Sequence, residues 1–222
     1  MFFCWQIGRL FVKNREDFNS EKFISASLPY QLVYIFSKEI IPCEWIKLVD
    51  KKIIFSQDQI NKIEVKNYKN VITRFDKAIH SKDSLINLAL KSGKYSRFYI
   101  DPNFRENEYS RLYKRWILNA INGKLAFEIL IATESDQIIG FTTIGKVNDD
   151  LAELGLLAVD EKARGRGLGT ELINKAIEHA AKANFKEIQV VTQSDNHPAC
   201  SLYQKTNFKA IGITNIYHYW NL

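Results

Sequence analysis

The chain has few of the residues that cross-link a fold or interrupt its regular elements. Its 222 residues include 3 cysteines, 4 prolines and 10 glycines. Cys4, Cys43 and Cys200 are odd in number and far apart, and none belongs to a Cys-x-x-Cys pair, so we expect neither a disulfide framework nor a zinc site. The scarcity of glycine and proline excludes collagen-like and low-complexity proteins. A chain of this length should bury a sizeable core without cross-links.

Long apolar runs are also missing. None approaches the roughly 20 residues that a membrane-spanning helix needs. The sequence starts without a basic segment ahead of an apolar stretch, so we expect a cytoplasmic protein with no membrane partner. The four histidines are scattered with no ligand spacing, and we expect no bound metal.

Negative charge is scarce in the first half of the chain. Residues 1–100 carry 17 Lys and Arg against 10 Asp and Glu, whereas residues 101–222 carry 14 against 15, which together give the net charge of +6. A basic first half favours a phosphorylated ligand. The lysines are dispersed and not interleaved with stacking aromatic residues, so we expect no nucleic acid partner.

The hydrophobic pattern divides the chain into two parts. Residues 1–95 contain short strand-like runs at 32–36 and 53–55, and a short helix that we expect Asp83 to cap and Gly93 to end. They predict a smaller α+β region, on the substrate side or a degenerate half. Residues 96–222 have the sharper periodicity of a catalytic domain.

The second part predicts a sheet with helices. Its expected elements are a helix from 106 to 121, strands 127–132, 138–144 and 153–159, a helix from 168, a strand 188–191, a helix 198–205 and a closing strand 217–220. The first three strands form an antiparallel meander. A strand, a helix and a second strand follow one another from 153 to 191, so these two strands should be parallel and adjacent.

An unusual loop, Arg164-Gly165-Arg166-Gly167-Leu168-Gly169-Thr170, precedes the second of these helices. Its alternating glycines allow positive φ and a close approach of the backbone to a ligand. The first amides of the helix lack internal acceptors, and the two arginines add positive charge, so the loop predicts a pyrophosphate seat. A plain strand–helix turn is the alternative. Thr170 excludes the dinucleotide fingerprint, and no Gly-Lys-Ser/Thr forms a P-loop.

Two motifs carry a resemblance to a known family. The Arg-x-x-Gly-x-Gly string of Arg164, Gly167 and Gly169 resembles the acyl-CoA signature of the GNAT N-acetyltransferase superfamily. The later string Asn196-x-x-Ala199-x-x-Leu202-Tyr203-x-x-x-Asn207-Phe208 is similar to its second signature, with Asn207 where the family usually has glycine. Asparagine is the next-best residue for a left-handed helix C-cap, so this departure is minor.

The resemblance implies an α/β (α+β) fold whose mostly antiparallel, twisted sheet is flanked by helices and splays at one parallel strand pair, 153–159 and 187–193. It also implies acetyl-CoA as cosubstrate, with pantetheine bound along the first of these strands and the pyrophosphate in the glycine loop. Asn196 would hold the pantetheine arm, although it also suits the N-cap of the helix at 198–205. The implied cofactor-binding residues are Leu157, Ala158, Val159, Arg164, Gly165, Arg166, Gly167, Leu168, Gly169, Thr170 and Asn196.

The resemblance also implies a catalytic residue. Tyr203 matches the position at which the family commonly holds a general acid, and a phenol that is protonated at pH 7 can donate to a departing thiolate. Packing on the short helix is the alternative role. The general base stays open between Glu153 and a water, with His218 as a weaker candidate.

Further strings resemble TDP-fucosamine acetyltransferases, which acetylate the 4-amino group of a nucleotide-linked 4-amino-4,6-dideoxy sugar. They are Ser92-Gly93-Lys94-Tyr95-Ser96-Arg97-Phe98, Asp101-Pro102-x-Phe104 and Leu112-Tyr113-Lys114-Arg115-Trp116-Ile117. A nucleotide-linked amino sugar is therefore the implied acceptor, with Arg97 and Tyr95 as contact or structural residues. A peptide or small polyamine acceptor and a non-catalytic CoA-binding module are the alternatives, and a homodimer is left open.

Overall fold

The computed structural model describes residues 5–62 and 68–221, and Cys4 therefore lies outside the described residues. None of the helices in these two ranges is long and apolar enough to cross a bilayer. The strands and helices of the described residues are β1 (Ile7–Val12), α1 (Ser20–Ser27), β2 (Leu32–Ser37), β3 (Lys47–Gln57), β4 (Ile72–Arg74), α2 (Lys82–Ser92), α3 (Arg97–Ile100), α4 (Glu106–Ile121), β5 (Glu128–Glu134), β6 (Gln137–Lys146), β7 (Leu151–Val159), α5 (Leu168–Lys182), β8 (Glu187–Gln193), α6 (His197–Lys205) and β9 (Lys209–Trp220), with short 3-10 helices at Arg15–Asp17, Ile60–Lys62 and Glu161–Ala163.

These strands form one sheet in the order β1-β2-β9-β3-β8-β7-β6-β5-β4. β5, β6 and β7 are the predicted antiparallel meander. β7 and β8 are parallel, as the crossover connection predicts. β1 and β2 form a second parallel pair, which no local sequence pattern predicts. The mostly antiparallel sheet flanked by helices confirms the predicted α/β fold.

Strand β9 connects the two predicted parts of the chain. It lies between β2 and β3 and is antiparallel to both, although they are far from it in sequence. β3 pairs in turn with β8. Residues 1–95 and 96–222 thus share one sheet, and the division between them stays a prediction.

Helices cover both faces of the sheet. Ile173, Ala176 and Ile177 of α5 pack in one core cluster with Leu130 and Val190 of the sheet. On the opposite face, helices α2 and α4 pack in a second cluster against β5, β6 and β7. α5 can pack on the sheet in this way because its apolar side chains recur every 3.6 residues, which places them all on the side that faces the sheet.

Two predicted details are wrong. The N-cap of α2 is Ser81, whose hydroxyl accepts the Ser84 amide at 3.3 Å, and Asp83 lies inside the first turn. Serine and aspartate cap equally well, so local sequence does not choose between them. β9 spans Lys209–Trp220 and not only 217–220, because it pairs with β3 along most of its length.

Candidate active site

The parallel pair β7 and β8 opens partway along its length. The ladder between them ends at Leu154 opposite Val190, although β7 continues to Val159 and β8 to Gln193. Beyond Leu154 the two strands no longer pair with each other. Backbone amides and carbonyls on the facing edges require partners, so an extended ligand with amides of its own can pair there.

A β-bulge on β7 lies where the strands part. The register shifts between Thr142 and Ile144, so that Gly155 and Leu156 together oppose Thr143. The Leu156 amide donates to the Thr143 hydroxyl at 2.8 Å. A Cβ on Gly155 would stand 2.8 Å from the same oxygen, so glycine is the residue that fits without displacing this hydroxyl.

The bulge exchanges the faces to which the β7 side chains point. Before it, Ala152 and Leu154 pack in the core beneath α5. After it, Leu156 and Ala158 pack beneath α2 and α4, and Leu157 contacts the α5 side instead. Side chains alternate along a strand, so one extra residue reverses the alternation. The Leu157 side chain thereby lies on the same face as the glycine loop.

A cavity of about 1070 Å³ begins at this opening. Its walls come from β7 from residue 153 onward, the adjoining ends of β3 and β8, the N-terminal end of α5, the length of α6, the segment from the end of α2 into α3, and one side of α4. Ten of the eleven predicted cofactor-binding residues line it together with Tyr203, and Arg166 does not. Residues from separate parts of the sequence are therefore brought to one cavity.

The structure favours glycine in this loop for two different reasons. Gly165 and Gly167 adopt φ of +78° and +82°, in the left-handed region that favours glycine. Gly169 lies inside α5, where a Cβ would stand 3.1 Å from a methyl carbon of Leu202 on α6. The first two glycines shape the turn, and the third lets α6 pack closely against α5.

The N-terminus of α5 opens into the cavity. Gly167 caps this helix, and its carbonyl accepts the Glu171 amide at 3.1 Å. The amides of Leu168, Gly169 and Thr170 belong to the first turn and so have no acceptor within the helix. Together with the helix dipole they favour an anion at this end of the cavity.

The two arginines of the loop point in different directions. Arg164 lines the cavity, and its Nε donates to the Val159 carbonyl at 3.2 Å. Arg166 pairs with Glu134, with 2.8 Å between Nη1 and Oε1, and also donates to the Lys162 carbonyl. The end of β5 supplies a carboxylate beside the loop, so Arg166 lies apart from the other predicted residues.

Tyr203 lies on α6 with its ring in the core. The ring packs between Phe55 and Phe208, at centroid distances of 5.7 and 6.0 Å. Burial raises the pKa of the phenol above its ordinary value, so the hydroxyl is protonated at neutral pH. The residue also lines the cavity. A packed ring and a proton donor are compatible in this position.

Asn196 caps α6, as one of its two predicted roles requires. Its side-chain oxygen accepts the Ala199 amide at 3.3 Å. The side-chain nitrogen lies 3.5 Å from the Thr192 hydroxyl, and the residue lines the cavity. The cap therefore leaves the amide group at the cavity wall.

The two candidate bases occupy different places. Glu153 lines the cavity, and its Oε2 accepts the side-chain amide of Gln189 at 2.7 Å. His218 is buried outside the cavity lining, with 2.6 Å between its Nδ1 and Oδ2 of Asp101. Burial lowers the pKa of this imidazole. The structure therefore removes His218 from the candidates.

The cavity also includes polar residues that no sequence motif indicates. Asp50 and Lys52 come from β3, and Gln193 comes from the end of β8. Their position depends on the pairing of β3 with β8, which joins distant segments and leaves no local pattern. Arg97 and Tyr95, for which a contact role was one alternative, also line the cavity.

The pKa of Asp50 is unusual. Its side chain is 1% exposed, and its Oδ2 lies 3.5 Å from Nη1 of Arg97. Burial raises the pKa of this carboxyl to about 6, although the charge of Arg97 opposes the change.

Within the described ranges, no group of three or more His, Cys, Asp or Glu side chains is placed to bind a metal ion.

A sequence model of the acetyltransferase (GNAT) family matches residues 94–208, just over half of the chain. The chain belongs to the GNAT acetyltransferase family. The matched residues include the bulged strand β7, the glycine loop and Tyr203, so the family assignment and the cavity concern the same part of this GNAT protein. Asp50 and the rest of β3 lie outside the match.

Named relatives of this GNAT chain differ in their substrates. It is 32% identical to the dTDP-fucosamine acetyltransferase of Escherichia coli O6:H1 over 121 aligned residues, and this alignment covers 54% of this chain and 51% of that protein. It is 27% identical to the mycothiol acetyltransferase of Corynebacterium efficiens over 81 aligned residues, and this alignment covers 36% of this chain and 27% of that protein. The chain thus spans about a quarter to a half of the length of these curated relatives.

A solved structure shows the same fold. The GCN5-related N-acetyltransferase of Kribbella flavida aligns with a TM-score of 0.56 at 10% identity, over 89% of this chain and 71% of that one. At this identity the similarity concerns the fold alone.

Proposed function

We propose that this protein transfers the acetyl group of acetyl-CoA to a primary amine. The observation that carries the proposal is that the opened β7–β8 pair and the glycine-rich N-terminus of α5 lie in one cavity. The first offers unpaired backbone to an amide chain, and the second offers amides to an anion. Coenzyme A has both groups, its pantetheine and its pyrophosphate, and membership in the GNAT family supports the match.

Each part of acetyl-CoA has a proposed partner. The pyrophosphate binds the amides of residues 168–170, with Arg164 at the side. The pantetheine amides pair with the β7 backbone at residues 157–159, and Asn196 lies along the same route. These contacts would leave the thioester near the bulge, where β7 and β8 separate.

The transfer itself needs three groups. A neutral amine attacks the thioester carbon, and a backbone amide of β7 stabilises the oxyanion, an effect of about 3–4 kcal/mol in comparable enzymes. The Leu156 amide is already bonded to Thr143, so this donor comes from another residue of β7. Tyr203 then donates its proton to the departing CoA thiolate.

We further propose that the amine belongs to a TDP-linked 4-amino-4,6-dideoxy sugar. The cavity is lined by six basic side chains against three acidic ones, which favours an anionic acceptor: Lys52, Lys91, Lys94, Arg97, Arg164 and Lys205 against Asp50, Glu153 and Glu161. Aromatic side chains of Tyr95, Phe98 and Trp116 lie beside them and suit a nucleotide base. The name of the Escherichia coli relative supports the same acceptor.

The mycothiol acetyltransferases among the relatives favour a second candidate. In it the chemistry is the same, but the amine is not linked to a nucleotide. An acceptor cavity for a cationic polyamine would be acidic, and the basic lining argues against that version.

The test is an assay of thiol release with acetyl-CoA and a panel of TDP-4-amino-4,6-dideoxyhexoses. We expect release with at least one amino sugar and none with the matched TDP-6-deoxyhexose that has a hydroxyl at position 4. Turnover of a peptide or polyamine amine instead of any amino sugar would reject the acceptor. Binding of acetyl-CoA without turnover of any amine would reject the transferase and support a CoA-binding module.

A further inference from the structure

We propose that Asp50 binds the ammonium group of the acceptor and accepts the proton that must leave before the amine attacks. The inference rests on the proposed acetyl transfer. It gives a chemical role to β3, a strand outside the residues that the family model matches.

Asp50 lies at the open end of the separated strands. The pairing of β3 with β8 stops where Lys52 opposes Gln193, and Asp50 lies two residues farther along β3. Its carboxylate meets Arg97 of α3, on the face of the sheet that carries α2 and α4. The glycine loop and α5 cover the other face. Coenzyme and acceptor would thus reach the reaction centre from opposite faces.

The carboxylate has an unused oxygen. Oδ2 faces Arg97, and the side chain of Gln193 lies near enough to the carboxyl to lower its pKa, but the buried Oδ1 has no donor at hydrogen-bond geometry among the described residues. An unpaired buried oxygen is unfavourable because it has lost water without gaining another donor. Asp50 also lines the cavity, so a donor on the acceptor is the partner that this oxygen lacks. An ammonium group supplies such a donor together with the opposite charge.

The other acids of the cavity are already engaged. Glu153 accepts the side-chain amide of Gln189. Glu161 is about half-exposed and lies within 4 Å of both Lys94 and Arg164. Asp50 is the buried acid of the three. Its pKa of about 6 also leaves it ionised at pH 7.5 while able to take up a proton.

The transfer begins with deprotonation of the acceptor. The ammonium gives one proton to Asp50, which releases it to solvent. The free amine adds to the thioester carbon and a C–N bond forms. The C–S bond then breaks, the thiolate takes the proton of Tyr203, and the second proton lost by the nitrogen restores the phenol. The products are the amide, the CoA thiol and one proton.

The first test compares Asp50→Asn with Asp50→Glu and the wild-type protein at pH 7.5. We expect Asp50→Asn to lower kcat/KM for the amino sugar at least 100-fold and to change the Kd of CoA less than twofold. Asp50→Glu should recover part of the activity. Asp149→Asn removes the same charge at an exposed position away from the cavity and should match the wild type.

The pH profile separates a proton acceptor from a structural carboxylate. We expect kcat/KM of the wild-type protein to fall below about pH 6 and this acidic limb to be absent in Asp50→Asn. The ionisable groups that face Asp50 are Arg97 of α3, Lys52 of β3 and Tyr113 of α4. Arginine and lysine stay charged in this range, and burial raises the pKa of Tyr113, so none of them accounts for such a limb.

A binding experiment needs no turnover. TDP-4-amino-4,6-dideoxygalactose and its 4-hydroxyl analogue are titrated calorimetrically into CoA-saturated protein. We expect the wild type to prefer the amine at least tenfold, and Asp50→Asn to lose that preference while binding the hydroxyl analogue unchanged. The role of Asp50 would be overturned if Asp50→Asn kept the wild-type kcat/KM and the wild-type preference for the amine. It would also be overturned if Glu153→Gln, and not Asp50→Asn, lost both this preference and the acidic limb of the pH profile.

If the acceptor is not a nucleotide sugar, the same experiments give a different set of results. A wild-type protein that binds neither TDP sugar but acetylates another amine rejects the nucleotide sugar, and the same variants assayed with that amine then decide the role of Asp50. A wild-type protein that acetylates no amine rejects both proposals.

Discussion

Tyr203 and Asp50 are buried ionisable side chains of the cavity lining, and burial raises the pKa of both because it disfavours their charged forms. The consequences differ. The phenol stays protonated at neutral pH, so it holds a proton that the departing thiolate can accept. The carboxyl moves to within one or two pH units of neutrality, where it can accept and release a proton easily.

Replacing Tyr203 with Phe should lower kcat about 10²–10⁴-fold, because a general acid typically contributes that much. The Kd of acetyl-CoA should stay within a few-fold of the wild-type value, since the ring keeps its packing against Phe55 and Phe208. Steady-state kinetics and a CoA titration measure the two effects. Tyr219→Phe, outside the cavity lining, is the control. A Tyr203→Phe variant with wild-type kcat would leave the residue a packing role only.

The raised pKa of Asp50 also predicts how stability depends on pH. The folded protein holds this proton more tightly than the unfolded chain, with a pKa of about 6 against 3.8. The stabilisation is complete below the unfolded value and is lost as pH rises through about 6. The unfolding free energy of the wild type should therefore fall by about 2–3 kcal/mol between pH 4 and pH 7.5, relative to that of Asp50→Asn over the same range. Urea unfolding at both pH values measures it, and an unchanged difference contradicts it.

At the scale of the elements, local patterns predicted what depends on local sequence. The apolar stripe of α5, the β5–β6–β7 meander and the glycine loop each follow from neighbouring residues. Asp50 and the full length of β9 could not be predicted, because their positions depend on pairing between distant segments. The position of the bulge at Gly155 could not be predicted for a related reason, since the register of β7 is defined only by its partner β6.

The glycine loop offers a matched pair of variants. Gly167 and Gly123 both have positive φ, +82° and +72°, and both have open space where a Cβ would go. Alanine at either position should cost about 1–2 kcal/mol of stability for the left-handed backbone. We expect only Gly167→Ala to weaken binding of CoA, at least tenfold, because it disturbs the N-terminus of α5. Thermal unfolding and CoA titration test both, and equal CoA affinities would contradict an anion seat in this loop.

At the scale of the whole molecule, the sheet contains strands from both predicted parts of the chain. β3 lies between β8 and β9, and β9 lies between β2 and β3. The part of the sheet beside the cavity is therefore assembled alternately from the two predicted parts. The wall that carries Asp50 belongs to the part outside the family match.

This arrangement predicts that residues 96–222 do not form a working unit alone. Without β3, both β8 and β9 lose the strand that lies between them, and their apolar faces lose part of their cover. We expect the fragment to unfold without cooperativity and to bind CoA at least tenfold more weakly than the full chain. Urea unfolding and CoA titration test this. A fragment with full-length cooperativity and affinity would show instead that 1–95 is a separable domain.

The place of β9 also has a consequence for synthesis. Every strand that borders it leaves the ribosome long before β9 does, and the gap between β2 and β3 has to stay open until then. Pairing between such distant segments is slow, and open strand edges invite association with other nascent chains. The risk of aggregation in this protein should thus be concentrated in the interval before β9 emerges.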